Sequence, residues 1–361
     1  MRSGMQMRRA GSLLAYWRGD RLFFRNFAKR VTVSARPVTC EVLDFFRQWR
    51  TAEQAVVRFS QYNKASVRFS VAELLRQGLL VVKDSPEAEQ DSRISKEWST
   101  WLPDGSFHFS TKDVAFVRDD LSVRQWKAIL PKTAPPSIFK NVKGAKRKLP
   151  PANFSDSEFI RVLKARRTHR DFSTQEVTLK AISQLLSLVW GVTGYLRSPM
   201  FGRAVLKTSP SGGARHPGEV YLMALRVKGL DPGLYHYHPG QHHLRKVSGK
   251  ATRSKAWLYC ARQDYVRDAA ALFIMTAIFP RTMWKYHLAR AYRVVLLETG
   301  HLCQTFCLAA TWLGLAPFCT AALKDTLIEQ DLKIDGIRES VLYVAGIGLP
   351  PRQRRNGGSL R

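Results

Sequence analysis

Residues 156–350 carry the most regular pattern of apolar and polar positions in the chain. Apolar residues recur there at helical spacing in three segments, which predicts three amphipathic helices. The predicted helices run from a cap at Ser155 or Asp156 through Arg166, over 177–190 up to a stop at Gly191, and from Thr282 to Leu313 before Gly314.

Apolar runs between these helices predict strands, including one hairpin. The strands span 218–227, 233–247, 270–280 and 339–348, and the second folds back on itself at Pro239 and Gly240. Strands and helices alternate without a strict strand-helix-strand rhythm. We therefore expect an α+β fold, with a mixed sheet flanked by helices, rather than a doubly wound parallel sheet.

The first 83 residues predict a small domain with the outline of a winged helix. Segments 21–27 and 31–35 have strand character, and 39–49 repeats apolar residues at helical spacing. A short helix over 70–77 is followed by Gly78 and a further strand. On a basic chain this outline fits DNA binding, a peptide-binding clamp or simple packing.

Residues 84–155 differ in composition from both neighbouring regions. Polar and acidic residues come first and runs rich in proline and lysine follow, which indicates a linker with tethered segments such as 98–110. The predicted domains are therefore 1–83, the winged-helix-like domain, 84–155, the linker, and 156–361, the main domain.

Composition indicates a folded chain without membrane spans. Of the 361 residues, 45% are hydrophobic, which is enough for a sizeable core. No run approaches the roughly 18 uninterrupted apolar residues of a membrane helix. Arg18, Asp20 and Arg21 interrupt the first apolar patch too early for a secretory signal. We expect a cytoplasmic protein.

The formal net charge is +30, from 58 basic and 28 acidic residues. That balance first suggests a polyanionic partner such as nucleic acid. The excess is spread, however, because residues 1–83 hold 16 basic and 5 acidic residues, and residues 156–361 hold 30 and 14. No single basic stripe results, so we expect no specific nucleic-acid function.

Candidate metal ligands are sparse. The five cysteines are too scattered for a disulfide framework, and none forms the C-x-x-C spacing of a zinc ribbon. Cys303 and Cys307, four residues apart in a helical pattern, are interpreted as buried small apolar residues. No Cys or carboxylate accompanies the histidines of the hairpin, so no metal is expected; they are His236, His238, His242 and His243.

Two clusters carry candidate chemistry, whereas dinucleotide-binding, P-loop, nucleophile-elbow and zinc-protease motifs are absent from the sequence. The first cluster is Arg166, Arg167, Thr168 and Arg170. Cations and a hydroxyl at a helix end suit phosphate oxygens. An exposed basic helix end that is favoured by the helix dipole has the same composition.

The second cluster is Pro210, Ser211, Gly212 and Gly213, just before a predicted strand. Paired glycines let the backbone approach a flat or anionic ligand closely, and the serine adds a hydroxyl. A plain surface turn uses the same residue types.

These clusters and the motifs after them resemble the FMN-binding nitroreductase superfamily, and in particular its SagB-type branch, the azoline dehydrogenases. The motifs are RRTHRDF at 166–172, PSGGARHP at 210–217, GLYHYH at 233–238, Lys285-Tyr286, R-x-Y-R at 290–293, E-x-G-H at 298–301 and LGL at 313–315. The resemblance covers about residues 156–350, and residues 21–130 are similar to the N-terminal region of longer members.

The resemblance implies FMN bound at the subunit interface of a homodimer. The first cluster would hold the phosphate and ribityl chain, and the second would line the isoalloxazine ring. Ala321 and Ala322 stand where the family has a glycine pair that faces the flavin N5, and Arg352 follows the last strand, where the superfamily often adds a phosphate-binding cation. Lys285 and Tyr286 would be the catalytic pair.

The implied reaction is oxidation of an azoline to an azole in a ribosomally made precursor peptide, with a cyclodehydratase as a partner. It removes a proton from one ring carbon and a hydride from its neighbour, and no side chain accepts a hydride. A lysine becomes a base when burial or nearby cations lower its pKa, and a neighbouring tyrosine can relay the proton or orient the lysine. Without the family, Lys285 and Tyr286 also fit a surface lysine beside a core tyrosine on a helix.

Two other functions stay open at this point. One is NAD(P)H-dependent reduction of a nitro compound or a quinone on the same fold, which does not need a Lys-Tyr pair. The other is a non-enzymatic peptide- or DNA-binding protein with an inactive reductase domain.

Overall fold

The computed structural model describes residues 4–116, 136–140, 143–198 and 202–351, together with residues 125 and 128. The N-terminal elements are β1 (Gln6–Arg9), β2 (Leu13–Arg18), β3 (Arg21–Asn26), β4 (Val31–Ala35), α1 (Val38–Phe45), β5 (Arg50–Thr51), α2 (Ala52–Arg58), α3 (Lys64–Arg76) and β6 (Leu80–Val82). Strand β1 pairs antiparallel with β5 and β6, and β2, β3 and β4 form an antiparallel meander.

Local signals set the ends of several of these elements. The side chain of Asn63 accepts hydrogen bonds from the backbone N–H groups of Ala65 and Ser66 and starts α3. Gly78, at φ +73°, provides the left-handed residue after that helix, as predicted. The predicted strands at 21–27 and 31–35 are confirmed as β3 and β4. Strand β1 was not predicted, because Met7 is its one buried residue and no alternation marks it.

The first part of the predicted linker is helical. It forms α4 (Pro86–Glu97) and α5 (Leu102–Ser110), with a short 3₁₀ turn between them. Trp98 and Trp101 are fully buried against aromatic residues of the main domain, among them Phe279 and Tyr292. The expectation of a linker there is corrected, because a few large apolar side chains in a polar segment bury more surface than its average composition indicates. The domain boundaries themselves stay a prediction.

Asp91 on α4 ties this helix to the N-terminal strands. Its buried carboxylate accepts hydrogen bonds from the backbone N–H groups of Gly11 and Ser12 at 2.8 and 2.9 Å. The Ser12 hydroxyl and the Arg8 guanidinium donate two more, at 2.7 and 3.0 Å. A buried carboxylate needs such donors to offset its lost hydration.

The main domain contains the remaining elements. They are α6 (Glu158–Ala165), β7 (Val177–Thr178), α7 (Leu179–Trp190), β8 (Gly194–Ser198), β9 (Gly202–Leu206), β10 (Gly218–Ala224), β11 (Val227–Lys228), β12 (Gly233–His238), β13 (His243–Ser248), α8 (Arg253–Tyr259), β14 (Ala271–Ile278), α9 (Phe279–Met283), α10 (Ala291–Trp312), β15 (Ala316–Thr320), α11 (Asp325–Leu332) and β16 (Glu339–Gly348). Helix α6 is capped by Ser157, whose hydroxyl accepts from the N–H of Ile160, rather than by Ser155 or Asp156.

A six-stranded sheet organises this domain, in the order β13-β12-β10-β14-β16-β15. Its described strand pairs are antiparallel, whereas β7 and β11 form a separate parallel pair. Strands β10 and β14 are buried almost throughout, because one hydrophobic core lies on each face of the sheet. Helices α7 and α10 cover one face, and α8 and α11 cover the other. The predicted α+β fold is confirmed.

The long helix predicted from Thr282 is interrupted. Helix α9 ends at Met283 and α10 begins at Ala291, so Lys285 and Tyr286 lie in the turn between them. The carbonyl of Tyr286 accepts a hydrogen bond from the indole N–H of Trp101 at 3.0 Å. In a continuous helix that carbonyl would accept from the backbone N–H four residues later, so this contact replaces a helical bond.

Helix α10 is long enough, and at a mean hydropathy of 1.2 apolar enough, to span a membrane. Half of that apolar window is buried inside the protein, and Glu298 and Thr299 are among its buried residues. Partial burial with polar groups inside is the behaviour of a core helix in a folded domain.

We expect Asp91→Ala to lower the free energy of unfolding by about 3–5 kcal/mol, since it removes the acceptor for a buried network. Urea unfolding followed by circular dichroism measures the change. The matched control is Asp44→Ala, because Asp44 is exposed and faces Arg47 at 3.9 Å, and such surface pairs contribute about 0–1 kcal/mol. Equal effects of the two substitutions would contradict the structural role of Asp91.

Candidate active site

The loop from Ser211 to His216 is a tight turn held by its own hydrogen bonds. The Ser211 hydroxyl accepts from the backbone N–H of His216 at 2.8 Å, and the Ser211 carbonyl accepts from Ala214 at 3.0 Å. Gly213 has φ +61° and ψ 23°, in the left-handed region that favours glycine. The Ser-Gly-Gly sequence therefore produces a fixed backbone shape and not only a flexible surface turn.

Glu298 supports this loop from helix α10. The backbone N–H of Gly212 donates to its Oε1 at 2.6 Å, and the side chain is buried, with 6% of the residue exposed. Burial raises the pKa of Glu298, although the hydrogen bonds from Gly212 and from the Ser211 hydroxyl oppose that rise. The Glu298 carboxylate thus fixes the position of Gly212 relative to helix α10.

Lys285 and Tyr286 cover the other side of Gly213. A Cβ atom placed on Gly213 would lie 2.6 Å from both the Lys285 Nζ and the Tyr286 hydroxyl oxygen. The tertiary structure therefore brings the predicted catalytic pair to the predicted flavin-binding loop. Both residues are half-buried.

The turn that carries the pair is fixed by backbone hydrogen bonds. The N–H groups of Lys285 and Tyr286 both donate to the carbonyl of Thr282, at 3.1 and 2.9 Å. The guanidinium of Arg215, from the loop, lies over the ring of Trp284 at 5.1 Å. Together with the indole of Trp101, these contacts orient the turn toward the loop.

Arg281 joins the loop to a buried acidic residue. It donates to the His216 carbonyl at 2.9 Å and to Oε1 of Glu219 at 2.5 Å. The other oxygen of Glu219 lies 2.7 Å from the His236 ring. Burial raises the pKa of Glu219, but the hydrogen bonds and charges of His236 and Arg281 outweigh that effect and lower it. Burial also lowers the pKa of nearby Lys207 and of His216.

The predicted phosphate cluster follows the end of α6. The Arg167 guanidinium donates to the carbonyls of Lys164 and Arg166 at 2.9 and 2.7 Å, and Arg170 lies over the Tyr265 ring at 5.5 Å. Thr168 is exposed. The segment is anchored to β15, because the N–H of the next residue, at position 169, donates to the carbonyl of residue 317.

Arg166 itself faces helix α10 and strand β15. Hydrogen bonds with the thiols of Cys303 and Cys307 lower the pKa of Cys319, and the charge of Arg166 adds to this effect. The charge of Arg166 also acts on Cys307. The cluster and the glycine loop thus lie at different points along α10, since Glu298 and Cys307 are nine residues, or about 14 Å, apart along the helix.

The remaining residues of the predicted FMN site lie after β15, at the start of the loop and beyond the last strand. Ala321 is exposed and Ala322 half-buried after β15, and the Ala322 N–H donates to the Thr320 hydroxyl at 3.1 Å. Pro210 is exposed at the start of the loop. Arg352 lies outside the described residues.

The four hairpin histidines have separate partners. His236 bonds Glu219, and His242 lies between the hydroxyls of Ser183 and Tyr237, each at 2.8 Å. His238 and His243 stack on each other with ring centroids 5.3 Å apart. These contacts support a structural role for the hairpin.

The family model described as "Nitroreductase family" matches residues 163–349, more than half of the chain. The chain belongs to the nitroreductase family. The match includes both clusters, the Lys-Tyr turn and the central sheet, and it identifies the chain as an oxidoreductase.

This nitroreductase-family chain is similar to two peptide-processing proteins and to a third relative. It is 27% identical over 320 residues to the trifolitoxin-processing protein TfxB of Rhizobium leguminosarum bv. trifolii, covering 84% of this chain and 85% of that protein. It is 30% identical over 151 residues to the microcin B17-processing protein McbC of Escherichia coli, covering 40% and 55%. A Methanocaldococcus jannaschii protein named as a nitroreductase, MJ1384, is 32% identical over 173 residues, covering 48% and 83%.

Sequence reasoning about this nitroreductase-family chain assigned no role to Glu298 or Trp101. The signal for Glu298 was present, because it is the one acidic residue of an apolar helix and belongs to the E-x-G-H motif. No local signal marks the contact that Trp101 makes, since its partner, Tyr286, is 185 positions away.

We expect Glu298→Ala to lower the free energy of unfolding by about 1–3 kcal/mol, because the Gly212 N–H would lose its acceptor in a partly buried site. Glu298→Gln keeps an acceptor oxygen and should cost clearly less. Urea unfolding of both variants measures the difference. A Gln variant as unstable as the Ala variant would show that the hydrogen bond is not what Glu298 provides.

Gly213→Ala should destabilise the protein by at least about 1 kcal/mol, because a side chain there is strained at this positive φ and meets two polar groups. Gly249→Ala is the control, since its Cβ would have nothing within 4 Å and its φ is ordinary. Thermal unfolding of the two variants tests whether a side chain at position 213 is excluded by its neighbours. Equal melting temperatures of the two variants would contradict that exclusion.

Proposed function

We propose that this chain is an FMN-dependent dehydrogenase of the SagB-type branch, which oxidises azoline rings to azoles in a ribosomally made peptide. The observation that carries the proposal is the convergence of Lys285 Nζ and the Tyr286 hydroxyl on Gly213 of the Ser-Gly-Gly loop. The similarity to TfxB and McbC, which are named as peptide-processing proteins, supports a peptide substrate.

The residues of this chain fit FMN in two respects. A Cβ on Gly212 would lie 2.8 Å from Val294, and one on Gly213 would lie 2.6 Å from Lys285 Nζ, so neither position has room for a side chain. A loop without these side chains lets a flat ring approach its backbone closely. The segment of Arg166, Arg167, Thr168 and Arg170 offers cations and a hydroxyl for phosphate and ribityl oxygens. We assign the loop to the ring and this segment to the phosphate end, with Ala321 and Ala322 beside the ring.

When bound, FMN supplies the hydride acceptor that the side chains lack. The chain's own task is then to hold the azoline and to take the proton from the ring carbon next to the one that loses hydride. Lys285 is the base in this proposal, because its Nζ is the amine positioned at the loop. In its neutral form the amine accepts that proton and becomes an ammonium.

Tyr286 is proposed to orient the amine or to relay its proton. Its hydroxyl is as close to Gly213 as Nζ is, and its backbone carbonyl is fixed by Trp101. The cations Arg215 and Arg281 are bonded to the loop carbonyls of Gly213 and His216, which keeps positive charge near the reacting groups.

A homodimer and peptide recognition complete the proposal. Helices α6 and α10 expose large apolar residues, including Phe159, Leu163, Leu296 and Leu297, which supports association through these helices. The excess of basic residues in the first 83 positions suits an acidic leader segment of a precursor peptide. We place the enzyme in the cytoplasm, after a cyclodehydratase that forms the azoline.

Lys285→Ala should lose most azoline oxidation, by about 10²–10⁴-fold, while the protein stays folded and yellow, because a general base contributes that much to rate. Lys285→Arg keeps the positive charge but does not deprotonate near neutral pH, so it should be as inactive as the Ala variant. Single-turnover oxidation of an azoline peptide, followed by flavin absorbance and by mass spectrometry, measures the step.

Tyr286→Phe distinguishes the two roles of the tyrosine, with a small loss for orientation and a loss like that of Lys285→Ala for a relay. Near-wild-type turnover by Lys285→Arg would defeat the base assignment. Steady NAD(P)H consumption with a quinone, and none with an azoline peptide, would instead favour the nitro- or quinone-reductase function.

The double substitution of Arg166 and Arg170 to Ala should weaken FMN binding by about tenfold or more per lost contact, since charge-assisted hydrogen bonds contribute about 1.5–3 kcal/mol each. Arg245→Ala, at an exposed position on β13, is the matched control for lost charge. Fluorescence titration with FMN, after the bound flavin has been removed from each protein, measures the FMN affinity of both variants. An unchanged FMN affinity in the double variant would contradict the assignment of Arg166 and Arg170 to the FMN phosphate.

A further inference from the structure

Three cysteines that are far apart in the sequence meet beneath the predicted phosphate segment. Cys303 and Cys307 lie one turn apart on the same face of α10, and Cys319 comes from the adjacent strand β15. Their sulfur atoms all lie within 4.8 Å of one another. Among the residues that the structure describes, this is the one group of three or more potential metal-binding side chains with such spacing.

The spacing is close to that of a metal–thiolate centre. Tetrahedral bonds of about 2.3 Å from zinc to sulfur put neighbouring sulfurs about 3.8 Å apart. The distances between the three sulfur atoms therefore need to shorten by about 1 Å at most to bind the metal. Two of them are buried in the main core and the third is half-buried, so a cation has one side from which to enter.

Hydrogen bonding and charge around the thiols also suit a bound cation. The Tyr343 hydroxyl, on β16, donates to the sulfur of Cys319 at 3.2 Å. Such donors to a metal ligand orient it and stabilise its thiolate form. The positive charge of Arg166 acts on Cys307 and Cys319. Three thiolates and one divalent cation sum to a charge of −1, whereas three thiolates and a monovalent cation sum to −2, so the divalent ion leaves the smaller buried charge.

We propose that Cys303, Cys307 and Cys319 form a binding site for one thiophilic divalent cation, with Zn²⁺ as its occupant. Soft thiolate ligands select zinc and copper(I) over harder cations, and the charge balance favours the divalent ion. A solvent molecule, entering from the half-buried side, takes the fourth position. The site would join α10 to β15 and fix the strand that leads to Ala321.

Cys260 provides an internal comparison. It is also a fully buried cysteine, in the core on the other face of the sheet, where it packs among apolar side chains. Burial alone thus does not distinguish Cys303 and Cys307 from a core cysteine, but the meeting of three sulfurs does. A substitution of Cys260 controls for the general effect of losing a buried thiol.

The test is an anaerobic titration of the reduced, chelator-treated full chain with Co²⁺, followed by displacement with Zn²⁺. We expect thiolate-to-cobalt charge-transfer absorption that saturates at one equivalent per chain and disappears on addition of Zn²⁺. Zn²⁺ should also raise the melting temperature of the wild-type protein, and a chelator should reverse the rise. A parallel titration with Cu⁺ under a competing chelator tests the monovalent ion.

Cys319→Ser and Cys303→Ser should abolish the cobalt absorption, and Cys260→Ser should keep it. Cys319 is half-buried on an edge strand, so its variant tests the site even if the Cys303 variant does not fold. Tyr343→Phe should weaken Zn²⁺ binding about 10–100-fold, as for other lost donors to metal ligands.

The proposal is overturned by wild-type protein that shows no charge-transfer band and no Zn²⁺-dependent rise in melting temperature. Equal metal binding by wild type and Cys319→Ser would also overturn it. Tighter binding of Cu⁺ than of Zn²⁺ would overturn the choice of a divalent occupant.

Discussion

The candidate site depends on the absence of a side chain at Gly213. Its backbone adopts a left-handed conformation, and the space where a Cβ would stand is filled by the polar ends of Lys285 and Tyr286. On the other side of the loop, Glu298 accepts the N–H of Gly212. One short loop is thereby fixed between a buried carboxylate and a Lys-Tyr pair, and the proposed chemistry requires each of the three to stay in place.

The N-terminal half contributes to this site through aromatic packing. Trp98 contacts Trp101, His108, Phe109 and Phe279 in one buried cluster, and its indole N–H donates to the backbone of residue 337. The indole N–H of Trp101 donates to the turn between α9 and α10. The segment that connects the two parts of the chain is therefore also a support for the turn that carries Lys285 and Tyr286. Such a contact makes the stability of the connecting helices and the geometry of the site interdependent.

The antiparallel sheet supplies the rigidity that these contacts need. Helix α10 packs on one face, and its buried side positions Glu298 near one end and the three-cysteine cluster near the other. The buried carboxylate of Glu219 is paired with Arg281 and His236 in a network behind the loop. Because an unpaired buried charge is costly, the network also limits how far the loop can move.

The sequence by itself determined the α+β class, five of the six strands of the central sheet, and the Ser-Gly-Gly and Lys-Tyr motifs as candidates, because periodicity and short motifs are local properties. Strand β15 was not predicted. The sequence did not reveal the helices of residues 86–110, the break before α10 or the part of Glu298. The interpretation of Cys303 and Cys307 as buried residues is confirmed, but their meeting with Cys319 was not predicted. These features arise from contacts between distant positions, such as Trp101 with Tyr286 and Cys319 with the cysteines of α10. Only the tertiary structure decides them, since a contact across many residues leaves no local pattern in the chain.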